Sequence, residues 1–312
     1  MTLVKHGLVL VTGGAGFIGS HIVDRLIANN YRVRVLDNLS TGSLTNIERH
    51  LGRKHFQFIK GDITSPPVLR RVLKGVKVVF HEAAITSVPG SVADPVFTNE
   101  VNTTGTLRLL EASANCKVQR LIYASSSSIY GEQGKLPIKE DTVPDPMSPY
   151  AVSKLAAEKY CLVFDKLRRL ETVCLRYFNV YGPRQGYGAY SGVVRIFEDR
   201  LKRGSPPIVY GDGGQTRDFV SVHDVVRANM LAMSVDKAAG EVFNIGSGLR
   251  VSIRELAEMM IQANGKGLRP VFRQPRLGDV RHSCANIEKA HRMLGYSPEV
   301  TLRDYIRETM SK

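Results

Sequence analysis

Residues 8–21 read LVLVTGGAGFIGSH, an apolar β-branched run that breaks into glycines and reopens as a helical pattern. The glycines fit G-x-x-G-x-x-G through Gly13, Gly16 and Gly19, or G-x-G-x-x-G through Gly14, Gly16 and Gly19. Between a strand and a helix, such a loop lets a pyrophosphate rest on backbone N–H groups at the positive end of the helix dipole. Asp37 closes the next β-branched run, eighteen residues beyond Gly19. A carboxylate there accepts hydrogen bonds from adenine-ribose hydroxyls and repels a 2′-phosphate, so NAD is favoured over NADP. Asp62 and Ile63, after the third run, are the expected neighbours of the adenine.

The rest of the first half keeps the same rhythm. GLVLVTG, YRVRVLDN, FQFIKGD, VKVVFHEAA, RLIYASS and ETVCLRYFN read as strands, with helical stretches such as Phe17 to Asn29 and Asp94 to Ala114 between them. Alternating apolar strands and helices predict an α/β fold, a doubly wound parallel-sheet Rossmann domain with right-handed crossovers. After Tyr177 glycine and proline punctuate GPRQGYGAYSG and RGSPPIVYGDGGQTRDF. The expected division is a Rossmann domain over 1–177, to which 218–247 returns through VFNIG, and a smaller mixed α/β substrate domain from 178–217 and 248–312.

Composition narrows the function classes. A chain of 312 residues with 43% hydrophobic content has enough apolar surface for a sizeable core. No apolar run approaches the ~18 residues of a membrane span, and the N-terminus enters the first strand without a cleavage site, so a cytoplasmic, membrane-free protein is expected. Cys116, Cys161, Cys174 and Cys284 lack the paired spacing of zinc or redox motifs, so no metal is expected and the thiols read as reduced. The net charge of +14 is spread along the chain without an aromatic-interleaved basic patch, so a nucleic-acid partner is not expected.

Tyr150 and Lys154 of SPYAVSK lie four residues apart, just inside a helix that Pro149 can start, so they share a face. Tyrosine is a poor base at its ordinary pKa of ~10, but a nearby ammonium and a cationic nicotinamide ring both favour phenolate. The pair can then take a hydroxyl proton while a hydride leaves the same carbon.

With these residues in view, the chain resembles the extended short-chain dehydrogenases of the NAD-dependent epimerase/dehydratase family, and among them the UDP-glucose and UDP-N-acetylglucosamine 4-epimerases. The resemblance runs over nearly the whole chain, through TGGAGFIG, DNLSTG, HEAA, YASSSSIYG, SPYAVSK, RYFNVYGPRQ, GDGGQTRDFV and RLGDVRHS. It implies that Ser126, four residues before Tyr130, bridges the sugar O4 and Tyr150. Ser125, Ser127 and Ser128 are then structural or substrate-lining. It places Phe17, Ile18, Asn38, Ser40, Thr41, Gly42, Ala83, Ala84, Asn102 and Phe178 around NAD, with Tyr150 and Lys154. It implies that Asn179, Arg217, Arg276 and Asp279 hold the UDP diphosphate and ribose, as two arginines suit a diphosphate. Ser87, Ser127, Val194, Tyr210 and Ser283 complete the implied UDP-sugar contacts.

The serine run also separates the relatives. Sugar-nucleotide 4,6-dehydratases carry Thr-Asp-Glu where Ser126, Ser127 and Ser128 stand, and the decarboxylating relatives carry glutamate at the place of Ser128. Without those carboxylates, reversible oxidation at C4 is expected rather than elimination or decarboxylation. Uronate epimerases share an ASSSS-type segment and remain the alternative, but their usual Thr and extra Arg are replaced here by Asn179 and Gly186. Ser283 stands where enzymes restricted to UDP-glucose and UDP-galactose tend to carry tyrosine, so room for an acetamido group is expected. The helices Asp94 to Ala114 and Pro149 to Leu170 match those of a family four-helix interface, implying a homodimer. A reading of another class, a non-catalytic NAD-binding sensor or scaffold, is permitted by charge but leaves the paired base and lysine without a purpose.

Overall fold

The computed structural model describes residues 7–186, 192–275 and 280–310. Strands β1 (Leu8–Thr12), β2 (Arg32–Asp37), β3 (Phe56–Lys60), β4 (Val76–His81), β5 (Arg120–Ser126) and β6 (Glu171–Tyr177) carry the apolar runs. Three short strands follow, β7 (Asn179–Tyr181), β8 (Ile208–Tyr210) and β9 (Thr216–Arg217), then β10 (Phe219–Ser221) and β11 (Glu241–Ile245). The last two are β12 (Val251–Ser252) and β13 (Val271–Arg273). One seven-stranded sheet has the order β11-β6-β5-β4-β1-β2-β3, every pairing parallel. The order reverses at β1, which lies between β2 and β4, and this leaves a crevice at the carboxyl ends of the strands.

Both faces of the sheet are covered, which explains why its strands are continuous apolar runs rather than alternating ones. Helix α1 (Phe17–Ala28) lies on one face, where Ile22, Val23 and Leu26 join Val225, Val226 and Ala228 of the helix Val222–Ser234 over Val9, Val11 and Val35. The other face carries the helices Pro66–Val72, Thr106–Asn115 and Pro149–Arg168, with Leu69, Leu109, Leu110, Ala157 and Cys161 packed on Leu10, Val79 and Tyr123.

The helix expected from Asp94 to Ala114 is divided. Asp94 caps Pro95–Asn99 by accepting from the Phe97 N–H at 3.0 Å, a wide π-turn follows at Glu100–Gly105, and the α-helix resumes at Thr106. Within this turn the buried Asn102 side-chain amide binds the Ile85 backbone in both directions, at 2.8 and 2.9 Å.

Beyond β6 a second apolar cluster forms from Val194, Phe197, Leu201, Val209, Leu256, Met260 and Ile306. It packs the helices Val193–Lys202, Ile253–Asn264 and Leu302–Met310 over the short pairs β7·β10, β8·β13 and β9·β12. Asp218 ties this cluster to the large sheet. Its buried carboxylate accepts from the Ser247 N–H and hydroxyl, both at 2.7 Å, and from the Gly248 and Ala285 N–H groups at 3.0 Å. No helix among the described residues is long and apolar enough to cross a membrane.

Candidate active site

The glycine loop sits at the carboxyl end of β1, in the crevice. Gly13 has φ +68°, and a Cβ there would lie 2.6 Å from the Ala83 nitrogen; a Cβ on Gly19 would overlap the Gly13 carbonyl. These two positions demand glycine, one for its backbone and one for close helix–strand packing. Gly16 is the N-cap of α1 and offers no side chain to the first turn, where Phe17 and Ile18 follow. The shape is the one the pyrophosphate-binding reading requires.

Asp37 ends β2 beside this loop. Its Oδ2 accepts from the Ala15 N–H at 2.9 Å and its Oδ1 from the Leu39 N–H at 2.8 Å. Burial pushes the carboxyl up from its ordinary value and the two backbone donors oppose it. Gly42 packs against Ala15 and Asp37, and Asn38 donates to Asp62 at 2.7 Å while its own Oδ1 accepts from the Ser40 N–H. Thr64 holds the other Asp62 oxygen, and these bonds bring the Asp62 carboxyl below its usual value against the opposing effect of burial. Thus the DNLSTG segment, with exposed Thr41, and the Asp62–Ile63 turn form one rim of the crevice.

Ser148 starts the long helix by accepting from the Ala151 N–H at 3.2 Å, with Pro149 in its first turn. One turn apart, Tyr150 and Lys154 then face the ends of β4 and β5. The Lys154 ammonium donates to the Ala124 carbonyl at 2.8 Å and lies 5.1 Å from the Tyr123 ring centroid; burial pushes it down to about 8. Tyr150 lies beside Ser126, whose hydroxyl acts to lower the phenol's pKa. The Ser126 oxygen accepts from the Ser128 hydroxyl at 2.9 Å and the Ser128 N–H at 3.2 Å.

Burial pushes Tyr150 above its ordinary value, with the Ser126 hydroxyl as the counterweight. The Tyr150–Lys154 spacing predicts a phenolate favoured by the ammonium together with a cationic nicotinamide ring. Here the ammonium is directed to a backbone carbonyl, and desolvation of the phenol dominates.

The other expected residues fall in three groups. Ala83 and Ala84 continue from β4 against Gly13, and buried Asn102 fixes their loop through Ile85 while also donating to Ser153 at 3.0 Å. Phe178 is buried on Tyr130, Ile129 and Ala285. Ser87 caps the helix Val88–Ala93, and Ser127 opens the 3₁₀ turn that ends in Tyr130. Asn179, Arg217 and Ser283 meet around Asp218 and Thr216: Asn179 donates to the Asp218 carbonyl at 3.3 Å, Arg217 to the Thr216 carbonyl at 2.9 Å, and the Ser283 N–H to that same carbonyl at 3.1 Å. Tyr210 ends β8, and Val194 is buried with Phe197 in the second cluster. Arg276 and Asp279 lie outside the described residues.

A model of the NAD dependent epimerase/dehydratase family matches residues 9–246. The chain belongs to this family. A crystal structure of UDP-glucose 4-epimerase from Thermotoga maritima, with UDP-glucose, is 42% identical, with a TM-score of 0.92 and 97% of each chain covered. UDP-N-acetylglucosamine 4-epimerase from Methanobrevibacter ruminantium, in complex with UDP-N-acetylmuramic acid, is 37% identical with a TM-score of 0.92, covering 98% of each chain. UDP-glucose 4-epimerase of Thermus thermophilus in complex with NAD is 40% identical with a TM-score of 0.86, covering 97% of each chain. This family member is an extended short-chain dehydrogenase-type fold with NAD as its cofactor. The glycine cradle and Asp37 fit that dinucleotide.

Several residues around this crevice carry no signal in the sequence. Tyr177 donates to Glu82 at 2.9 Å and accepts from Asn229 at 2.7 Å, a chain built from three separate elements. His81 is held between Thr12 and Thr106 at 2.7 and 2.8 Å, and burial pushes it down to about 3, so it is neutral at pH 7. The HEAA and RYFN segments are legible as motifs, but their spacing assigns no role to His81, Glu82 or Tyr177 within them.

Proposed function

We propose that the chain is an NAD-dependent 4-epimerase of UDP-hexoses, interconverting UDP-glucose with UDP-galactose and UDP-N-acetylglucosamine with UDP-N-acetylgalactosamine. The observation that carries this reading is the grouping of Ser126, held by its two bonds from Ser128, with Tyr150 at the carboxyl edge of β5, beside the glycine crevice. NAD supplies the reversible two-electron oxidant for the sugar's C4. Tyr150 takes the O4 proton through Ser126 and later returns it. Lys154, anchored on Ala124, holds positive charge near the phenolate and is placed to orient the cofactor ribose. Arg217, with Arg276, is assigned to the diphosphate, and Asn179 and Asp279 to positioning the nucleotide. Ser127 and Ser128 provide hydroxyls and no carboxylate, which favours epimerisation over elimination.

Product analysis by NMR tests this. Incubation with UDP-galactose or UDP-N-acetylgalactosamine is expected to yield the gluco epimer without added NAD or net NADH, while UDP-glucuronate stays unchanged. Turnover of UDP-glucuronate alone, or of a dTDP- or GDP-sugar alone, overturns the substrate assignment. In the same assay Ser283→Tyr is expected to lose the N-acetylated substrate and keep UDP-galactose; equal losses on both remove Ser283 as the size gate.

The reading includes a homodimer. Val92, Val96 and Phe97, and Val152, Val163 and Leu167 of the long helix, are exposed apolar side chains, with Val96 78% and Leu167 73% accessible. Sedimentation is expected to give a dimer that Phe97→Glu with Leu167→Glu converts to monomer. A wild-type monomer at micromolar concentration discards the homodimer.

A further inference from the structure

Glu82 follows β4 directly, and its backbone abuts the glycine loop: a Cβ on Gly13 would lie 2.8 Å from the Glu82 carbonyl carbon. Its side chain accepts the Tyr177 hydroxyl proton at 2.9 Å. Tyr177 is the last residue of β6, and β5 lies between β6 and β4 in the sheet, so this bond bridges the end of β5. Ser126 ends β5 and is paired in register with Tyr177. The candidate catalytic hydroxyl and the Glu82–Tyr177 bridge therefore share one part of the crevice. Asp37 on β2 marks the adenosine side, so a dinucleotide lying across the switch point puts its nicotinamide half over β4, β5 and β6.

We propose that Glu82 sets the charge of this half of the crevice, its carboxylate favouring the cationic NAD+ over the uncharged ring of NADH. The inference rests on the proposed site only for the place of the nicotinamide, and it concerns the cofactor rather than the sugar. A bridge with a purely structural task has no use for a charge, since glutamine accepts the same Tyr177 hydrogen bond. The groups facing Glu82 are Tyr177 of β6, with Asn229 behind it, and more distantly Lys154 of the long helix. Burial pushes the Glu82 carboxyl up to about 7, against the opposing Tyr177 bond and Lys154 charge. Lys154 itself titrates near 8, His81 stays neutral, and burial keeps Tyr177 and Tyr150 protonated in this interval.

The test is a pair of binding titrations, NAD+ and NADH, on protein freed of its dinucleotide, with no sugar present. As pH rises from 6 to 7.5 the carboxylate forms, so wild-type affinity for NAD+ is expected to rise several-fold relative to that for NADH. Glu82→Gln is expected to lower the NAD+ to NADH affinity ratio roughly tenfold at pH 7.5 and to flatten its pH dependence. A flat wild-type ratio overturns the proposal without any variant. So does a Glu82→Gln protein that changes both affinities equally. Neither outcome depends on which sugar is turned over, so a failure of the substrate assignment leaves this test intact.

Discussion

Tyr150→Phe is expected to lower kcat for 4-epimerisation by about 10²- to 10⁴-fold, the usual span for removing a positioned general acid–base group. The substitution removes one oxygen and leaves the ring, so the packing that starts the long helix at Ser148 is retained. KM for the UDP-sugar is expected to change little, because the diphosphate contacts are assigned to Arg217 and Arg276. Resident NAD should also remain, since the glycine loop and Asp37 are untouched. Single-turnover kinetics with analysis of bound dinucleotide separates these quantities. Turnover within about fivefold of wild type would reject Tyr150 as the base. The direction of the pH profile follows from the structure. Burial holds Tyr150 protonated, so activity is expected to climb with pH until its proton is lost. Ser126→Ala is expected to move that limb to higher pH, because the hydroxyl that lowers the Tyr150 pKa is gone.

How far the sequence carries depends on the range of the interaction. The glycine loop, Asp37 and the seven main strands were legible because each is written in a contiguous segment whose spacing obeys helix or strand periodicity. The Tyr150–Lys154 pair was legible for the same reason, one helical turn apart behind a proline. The small helix Val88–Ala93 and the π-turn at Glu100–Gly105 were not, since the first is only six residues long and the second is fixed by Asn102 reaching the Ile85 backbone. Likewise the resemblance singles out Ser126 in the serine run and leaves the other three structural or substrate-lining. The structure gives Ser128 a bond to Ser126 and Ser125 a bond to Glu158, partnerships that depend on tertiary placement. Asp218 carries no signature inside TRDF because its four donors come from residues 29 to 67 positions away.

The serine run is anchored from behind by a buried ion pair. Arg176 on β6 and Glu158 on the long helix form a two-pronged contact, Nη2 to Oε1 at 2.7 Å and Nε to Oε2 at 3.0 Å, with both side chains almost fully buried. The pair is shared with the catalytic segment. Ser125 donates to Glu158 at 2.7 Å, and Arg176 donates to the Tyr130 hydroxyl at 2.6 Å and to the Glu140 carbonyl at 2.8 Å. Tyr130 in turn donates to Asn244 of β11 at 2.7 Å, so one guanidinium links β5, β6, β11 and the helix that carries Tyr150. Glu158→Gln keeps the shape but leaves the Arg176 charge buried without its counter-ion. Such a loss costs about 3–5 kcal/mol, against near neutrality when both partners are replaced by apolar groups of similar volume. Urea unfolding is therefore expected to show Glu158→Gln destabilised by about 3 kcal/mol or more, and Glu158→Leu combined with Arg176→Met destabilised by less than that, its remaining cost set by the Ser125 hydroxyl and the Glu140 carbonyl left without partners. The double variant is nevertheless expected to be slower in epimerisation, because Ser125 and Tyr130 lose the partners that align Ser126 between them. A Glu158→Gln protein as stable as wild type would show that the ion pair does not anchor this segment. A double variant with wild-type kcat would show that Ser126 is positioned by Ser128 and Tyr150 alone.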